Sequence, residues 1–335
     1  RYEEAKIHAP PSYLREALEW IATEKEKYEK FEAGLTAIEI LFRKRAVGWN
    51  EVGVSALRTL IHLEDRFATQ GFDNTVLRSM VAIVVGQPSQ LAPFLAETVF
   101  ERNVAVKQRY LITSVLVNAA RELAGVDDNG MKTMVTPYKE YDFMQPQTSK
   151  GNDSVHQPDW MRVVSQRVRA NTRLFSIRPA SEASSEQKKT IENRFARIAD
   201  RFVLPLLKSR VGDHLELTGR DIPLLVRILY TACELLTLAE NSPSVTRIAL
   251  NLTSSVESLR YHEDPAVREV VVAAYFASAI VLPDETLAVE CKPWLHYCIS
   301  RINDGEEGER GRKLADQTIK IILMRLRLDE TAELD

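Results

Sequence analysis

Residues 51–72, EVGVSALRTLIHLEDRFATQGF, contain the pattern that decides the fold class. Apolar side chains recur there at the spacing of one helical face, at Val54, Leu57, Leu60, Ile61 and Phe67. Polar and charged side chains fall on the opposite face, which we call the charged seam: Arg58, His62, Asp65, Arg66 and Thr69. The pattern predicts an amphipathic helix with one buried face and one solvent-facing face.

Both ends of this helix carry residues that are common at helix boundaries. Asn50 can accept a hydrogen bond from the free amides of a first turn. Gly71 can adopt the left-handed conformation that ends many helices. The sequence therefore predicts a single helix over residues 51–72.

Composition favours a large helical core and gives no overall charge for binding a polyanion. The chain has 335 residues, of which 45% are hydrophobic, and only 13 glycines and 14 prolines interrupt it. A chain of this size and composition can bury a sizeable core. Because 44 Lys and Arg stand against 47 Asp and Glu, the net charge of −3 does not attract phosphate backbones or anionic lipids.

Cysteine usage and hydropathy favour a reducing compartment. Three cysteines, an odd number, occur in a chain with no apparent secretory signal, which is typical of free thiols in the cytosol or nucleus. The most apolar run, residues 222–239, contains Arg227 and Glu234 and falls short of the ~20 apolar residues of a membrane span, so we interpret it as a buried helix. Because the chain begins at Arg1 without a methionine, we expect it to be a piece of a longer protein.

Helix starts are easy to recognise in the second half of the chain. Three of them pair a capping side chain with an early proline: Asp221 with Pro223, Ser242 with Pro243, and Asp264 with Pro265. The run 270–282 is rich in valine and isoleucine, like a strand. Its length, the Asp-Pro start and the stop at Pro283 nevertheless favour a helix.

The succession of helices predicts an all-α fold. Short loops that join helices of about 12 to 20 residues with wide apolar faces favour an α-solenoid of HEAT-like antiparallel helix pairs. Residues 264–268, DPAVR, resemble the start of a HEAT second helix. We predict N-terminal helical repeats over 1–124, a linker or strap over 125–158 and C-terminal helical repeats over 159–335, which together form one continuous solenoid.

The sequence contains no arrangement typical of an active site. Cys291, His296 and Cys298 offer ligands suited to zinc. His296 and Cys298 are two residues apart on a predicted helix, however, so they point to different faces, and no fourth ligand is close in sequence. Phosphate-binding loops and the common hydrolase and metalloprotease motifs are also missing. We therefore predict that the chain is not an enzyme and holds neither metal nor cofactor.

His62 next to Glu64 and Asp65 leaves two interpretations open. One is acid–base chemistry, and the other is an ion-pair network on a helix surface. Because Arg58 and Arg66 lie one helical turn to either side of the imidazole in the predicted helix, we favour the network.

Residues 162–201 form a basic segment, with ten basic against four acidic side chains. It could be a solvated face, a docking surface for an acidic protein segment, or a nucleic-acid contact beside Trp160. As candidate partner-binding residues we name Trp160, Arg162, Arg167, Arg169 and Arg173 in this part of the chain, and Arg58, His62, Asp65 and Arg66 in the charged seam.

Several strings resemble one protein family. They are residues 60–66 (LIHLEDR), 76–82 (VLRSMVA), 93–109 with Phe100 and Asn103, 160–164 (WMRVV), 193–195 (NRF) and 202–207 (FVLPLL). Together they are similar to the C-terminal conserved region of the telomere length regulation protein family. This family provides the Tel subunit of the Tel–Tti–Tti co-chaperone complex.

The resemblance implies a function that composition cannot supply. It implies a non-catalytic scaffold or adaptor that binds the Tti subunits and phosphatidylinositol-3-kinase-related kinases, and that passes these kinases to the ninety-kilodalton heat-shock chaperone machinery. It also implies a cytoplasmic and nuclear protein that supports DNA-damage checkpoints, telomere maintenance and growth signalling, without a membrane partner. The alternative that stays open is a helical-repeat protein that binds nucleic acid, such as telomeric DNA, directly.

Overall fold

The structure, a computed structural model, describes residues 10–22, 28–126, 193–208, 221–303 and 308–327. These ranges contain twelve α-helices and a short 3₁₀ helix at Phe195–Arg197, and they contain no strand. The helices are α1 Leu14–Ala22, α2 Tyr28–Arg43, α3 Trp49–Ile61, α4 Phe72–Gly86, α5 Pro88–Thr98, α6 Val106–Ala124, α7 Ala199–Lys208, α8 Ile222–Leu238, α9 Val245–Glu257, α10 Pro265–Val281, α11 Asp284–Asn303 and α12 Glu309–Leu326.

The twelve helices pack in two rows. Each odd-numbered helix packs against the even-numbered helix that follows it, so the described residues form consecutive helix pairs. The even-numbered helices also pack on one another in order from α2 to α12, and the odd-numbered helices do so from α1 to α9. Pairs stacked in series are the arrangement of an α-solenoid, which confirms the predicted fold class.

Helices in the middle of the stack are buried on nearly all sides. In α6, every residue from Ile112 to Val117 is buried, and in α10 the run 267–279 is buried except at Glu269. The carboxylate of Asp264 accepts a hydrogen bond of 2.7 Å from the amide of Ala266 and so caps α10, as expected before an early proline. The valine-rich run 270–282 is therefore helical as predicted, because neighbouring helices cover its apolar faces.

The prediction of one helix over residues 51–72 is wrong. Helix α3 ends at Ile61, and a loop of ten residues separates it from α4. In this loop the carboxylate of Asp65 accepts hydrogen bonds from the amides of Phe67 (3.3 Å) and Thr69 (3.0 Å). A short acidic side chain that binds its own downstream amides offers the backbone a turn in place of a helix.

The predicted boundary residues also have other positions. Asn50 lies inside α3, which follows Gly48 with a φ of 80°. Gly71 is left-handed as predicted, with a φ of 73°, but it precedes α4 and does not end α3. Thr69, assigned to the charged seam, is buried.

Helix pairs on either side of residues 127–192 pack directly on each other. Helix α5 contacts α7, and α6 contacts α8. The amide of Arg194 donates a hydrogen bond of 3.0 Å to the carbonyl oxygen of Leu123, next to the end of α6. The predicted segments 1–124, 125–158 and 159–335 stay a prediction, and residues 127–192 lie outside the described ranges.

Among the described helices, none is both long enough and apolar enough to cross a lipid bilayer.

Candidate partner-binding surfaces

The charged seam is divided between helix and loop, and its residues contact different neighbours. Arg58 is exposed on α3, and its guanidinium carbon lies 5.4 Å from the centre of the Phe94 ring in α5. Nδ1 of His62, at the end of α3, lies 3.3 Å from Nε2 of Gln108 in the first turn of α6. These two side chains therefore reach from α3 towards the following helix pair.

Arg66 and Phe67 attach the loop to the preceding helix pair. Nη2 of Arg66 donates a hydrogen bond of 2.6 Å to the carbonyl oxygen of Ile21, near the end of α1, and the guanidinium lies 5.3 Å from the centre of the Phe31 ring. The Phe67 ring packs on the rings of Tyr28 (5.8 Å) and Phe31 (5.3 Å). The predicted network on one helical face is therefore wrong, because α3 ends before Asp65 and Arg66. Partner binding by Arg58, His62, Asp65 and Arg66 stays a prediction.

The described part of the basic segment lies at the start of α7. Arg194, Arg197 and Arg201 are exposed. Asn193 fixes this part of the chain, because its side-chain amide donates to the carbonyl oxygen of Leu238 (3.0 Å) and its side-chain oxygen accepts from the amide of Ala196 (3.0 Å). Trp160, Arg162, Arg167, Arg169 and Arg173 lie outside the described residues, so their role in partner binding stays a prediction.

A cavity of about 580 Å³ opens beside Arg197. Its walls include the end of α6 at Ala124, the segment before α7 at Asn193 and Ala196, and the α8–α9 loop at Glu240 and Asn241. Asn241 has a positive φ of 63°, which its small polar side chain tolerates better than most residues do. The cavity is thus a meeting point of three parts of the chain, with both an acidic and a basic side chain in its walls.

Charged side chains link the even-numbered helices along the first half of the stack. Glu39 of α2 pairs with Arg78 of α4 at 3.2 Å. Arg43 of α2 pairs with Glu122 of α6 at 2.7 Å, and the hydrogen bond to this carboxylate raises the pKa of Arg43. Lys107 of α6 also pairs with Asp73 of α4 at 3.2 Å. Arg43, Arg78 and Lys107 therefore each have a carboxylate partner on a neighbouring helix.

Similar contacts continue along the second half of the stack. Arg227 of α8 donates to the hydroxyl of Ser114 in α6 at 3.0 Å, and Arg121 pairs with Glu234. The further contacts are the hydrogen bond from the Tyr230 hydroxyl to Glu269 of α10 (2.7 Å) and the ion pair of Glu269 with Arg310 of α12 (3.0 Å). Burial, together with the neighbouring Glu269 carboxylate, raises the pKa of Tyr230. This phenol therefore stays neutral and acts as a hydrogen-bond donor.

Sequence reasoning missed the role of these polar contacts, although a signal was present. Arg227 and Glu234 lie in the most apolar run of the chain and are seven residues apart, which places them on the same helical face. Their charges count against a membrane span. Polar residues on one face of an otherwise apolar helix also indicate contact with polar groups of a neighbouring helix.

The cysteine and histidine side chains near the end of the chain do not converge. Cys291 and Cys298 are buried in α11, whereas His296 is exposed. Burial raises the pKa of Cys298 to about 12 and also raises the pKa of Cys291, so both thiols keep their protons near neutral pH. In the ranges that the structure describes, no group of three metal-ligating side chains is placed to hold an ion. The prediction of no metal site stays a prediction.

The packing and the surfaces define a class of protein. The described residues form an all-α stack of helix pairs, with ion-paired surfaces and an open cavity. These features are typical of helical-repeat proteins that bind other macromolecules over an extended surface.

Comparisons of the sequence with known proteins find similarity to one protein family. Residues 11–120 match the family model described as telomere length regulation protein. The chain is 29% identical to the telomere length regulation protein TEL2 homolog of Mus musculus over 98% of its length, and 28% identical to that of Homo sapiens over 97%. It is 24% identical to telomere length regulation protein clk-2 of Caenorhabditis elegans over 83% of its length. The chain is therefore similar to telomere length regulation proteins over nearly its whole length, and these matches confirm the resemblance.

The chain corresponds to only part of the length of each relative. It covers 39% of the length of the mouse and human proteins and 32% of the length of the nematode protein. No solved structure matches the chain.

Proposed function

We propose that this chain is a non-catalytic scaffold or adaptor of a Tel–Tti–Tti co-chaperone complex. In this function it binds Tti subunits and phosphatidylinositol-3-kinase-related kinases, and it supports their transfer to the ninety-kilodalton heat-shock chaperone machinery. By maintaining these kinases it contributes to DNA-damage checkpoints, telomere maintenance and growth signalling. Such partners require a cytoplasmic and nuclear protein.

The observation that supports this proposal most directly is the continuous two-row packing of the helix pairs. Packing runs from α1–α2 to α11–α12 through direct contacts of α5 with α7 and of α6 with α8. A continuous stack presents one long surface on a rigid support, which suits the binding of large protein partners. The Tti subunits and kinases are the partners that the family resemblance implies.

The charge distribution favours protein partners over nucleic acid. Binding to a phosphate backbone requires several cations that are free to replace counterions. Arg43, Arg78, Lys107 and Arg121 are instead paired with carboxylates of neighbouring helices. The net charge of −3 gives no additional attraction. An extended acidic and basic mosaic is more compatible with a complementary protein surface.

Co-purification tests the proposal. The tagged chain is expressed with Tti subunits or with a client kinase and purified at moderate salt. We expect stoichiometric capture, whereas DNA affinity should stay within the ~10⁻⁴–10⁻⁶ M range of nonspecific contact at physiological salt. Tight DNA binding without capture of either partner would contradict the adaptor function and favour the nucleic-acid alternative.

The predicted docking segment needs its own variant. Reversal of Arg167, Arg169 and Arg173 to glutamate should weaken capture of a Tti subunit or client kinase while the melting temperature stays unchanged, as expected if these side chains serve recognition and not packing. A matched control reverses the exposed residues Arg15, Arg102 and Arg312. Equal loss of capture in both variants would show a general effect of charge and would exclude a specific docking role for the segment.

A further inference from the structure

Two distant parts of the chain place basic side chains on the edge of the stack where α2 and α6 end. We call this surface the basic edge, and its members are Arg43, Lys44, Arg45, Arg194 and Arg197, all of which are exposed. Arg43 pairs with Glu122 in the last turn of α6. The next residue of α6, Leu123, accepts the hydrogen bond from the amide of Arg194. The two groups of cations therefore lie on either side of the same helix end.

The cations outnumber the negative charges that the fold itself provides there. Glu39 and Glu122 supply two negative charges, and both are engaged by Arg43. The C-termini of α2 and α6 each add a partial charge of about −0.5. Among the described residues, five cations against a sum of roughly −3 leave about two positive charges in excess. Arg78, which pairs with Glu39, and Glu240, in the cavity wall, add one charge of each sign and do not change this balance. Helix capping and ion pairing therefore do not account for the whole basic edge.

Lys44 and Arg194 carry this excess. Neither side chain has an ion pair or hydrogen bond with any residue in the described ranges, whereas Arg43 is paired and Arg45 lies 5.5 Å from the centre of the Trp49 ring. Free cations on a rigid support keep most of their attraction for an incoming anion, because no internal partner has to be displaced.

The same edge has apolar surface and a cavity. Val47, at the tip of the α2–α3 loop, is 90% exposed, and Ile40 on the last turns of α2 is 47% exposed. The cavity of about 580 Å³ opens beside Arg197 at the other end of the edge and has room for a side chain. Free charge, exposed aliphatic groups and a cavity are the elements of a peptide-binding surface.

We propose that the basic edge binds an extended acidic segment of a partner protein. The segment runs past Lys44 and Arg194, and one of its side chains enters the cavity beside Arg197. This inference rests on the proposed adaptor function and specifies one of its docking sites. Single-stranded nucleic acid fits the surface less well, because such ligands require exposed aromatic rings for stacking. The rings next to the edge are not free for stacking, since Phe195 is fully buried and Arg45 lies over the Trp49 ring.

A charge-reversal variant tests the proposal with defined probes. Binding of a fluorescent oligoglutamate peptide to the full chain is measured by anisotropy at low and moderate salt, with an oligothymidylate as the nucleic-acid probe. We expect the Lys44→Glu, Arg194→Glu double variant to bind oligoglutamate about tenfold more weakly, equivalent to about 1.4 kcal/mol. Its melting temperature should fall only slightly, because neither side chain has an ion pair with a described residue and only the interaction with the two helix C-termini is lost.

The matched control is the Arg102→Glu, Arg312→Glu double variant, which reverses two exposed arginines away from the basic edge. It should bind oligoglutamate as the unmodified chain does. Equal weakening in both variants, or tighter binding of oligothymidylate that the first variant abolishes, would overturn the proposal. Co-purification of Tti subunits with both double variants tests the adaptor function separately. If both variants still capture Tti subunits but the Lys44→Glu, Arg194→Glu variant binds oligoglutamate as the unmodified chain does, the adaptor function stands and the basic-edge proposal fails.

Discussion

Arg66 shows how a single side chain can join three parts of the fold. The carbonyl groups in the last turn of a helix have no partner within that helix. Arg66 supplies one for Ile21 in α1 while its flat guanidinium lies over the Phe31 ring in α2. A lysine would lose this arrangement, because an ammonium group cannot stack on a ring and donate in a fixed direction in the same way.

Leu60 provides a direct test of the buried face of α3. It is 1% exposed, whereas Arg58 on the same helix is exposed and lies over the Phe94 ring. We expect Leu60→Ala to lower the free energy of unfolding by about 2–5 kcal/mol, because it leaves a cavity in the core. Arg58→Ala should cost less than about 1 kcal/mol. Urea unfolding of both variants checks this, and a larger loss for Arg58→Ala would reverse our assignment of the two faces.

Cys298 should make the free energy of unfolding decrease at alkaline pH. Burial raises its pKa to about 12 in the folded chain, compared with about 8.5 in an unfolded one. Between these values the folded state keeps the proton that the unfolded state loses. The stabilisation from the buried, protonated thiol is therefore complete below about pH 8.5. It is lost as pH rises towards the folded-state pKa, and the free energy of unfolding falls by up to ~1.4 kcal/mol per pH unit. Cys298→Ala should flatten the decline, as measured by urea unfolding across this range. Parallel curves for the two proteins would contradict the prediction.

At the level of elements, the loop between α3 and α4 marks the limit of helical periodicity. The spacing of Leu57, Leu60 and Ile61 identified the buried face correctly, since all three are buried. Phe67 continues the same spacing, but it belongs to a loop and packs on Tyr28 and Phe31 of another helix pair. Periodicity cannot distinguish a longer helix from a turn whose side chains reach a distant core, because that contact depends on tertiary structure.

Asp65 allows this interpretation of the loop to be tested. Asp65→Ala removes the acceptor for the amides of Phe67 and Thr69, so we expect a loss of about 1 kcal/mol and faster hydrogen exchange at these two amides. Glu64→Ala is the matched control, because it removes an adjacent exposed carboxylate. Equal exchange rates in the two variants would show that Asp65 does not hold the turn.

At the scale of the whole molecule, the sequence predicted the architecture better than the surfaces. Helix pairs can be inferred from local signals such as Asp264 before Pro265, because each helix encodes its own start and its apolar face. The basic edge could not be inferred, since Lys44 and Arg194 are 150 residues apart in sequence and meet only through the end of α6. Surfaces assembled from different repeats depend on the order of stacking, which no local pattern contains.

The junction between the third and fourth helix pairs decides whether the chain is one folding unit. Because α5 packs on α7 and α6 on α8, and Arg227 of α8 binds Ser114 of α6, opening one half should expose apolar surface of the other. We expect α2 and α10 to open at the same urea concentration in hydrogen exchange. Arg227→Ala should separate the two transitions by weakening the junction, whereas Arg247→Ala, which removes an ion pair with Asp200 between α9 and α7, should not. If α2 and α10 opened separately in the unmodified chain, the two halves would be domains that associate weakly. In a repeat array this means that the interaction energy between the neighbouring repeats at this junction is low.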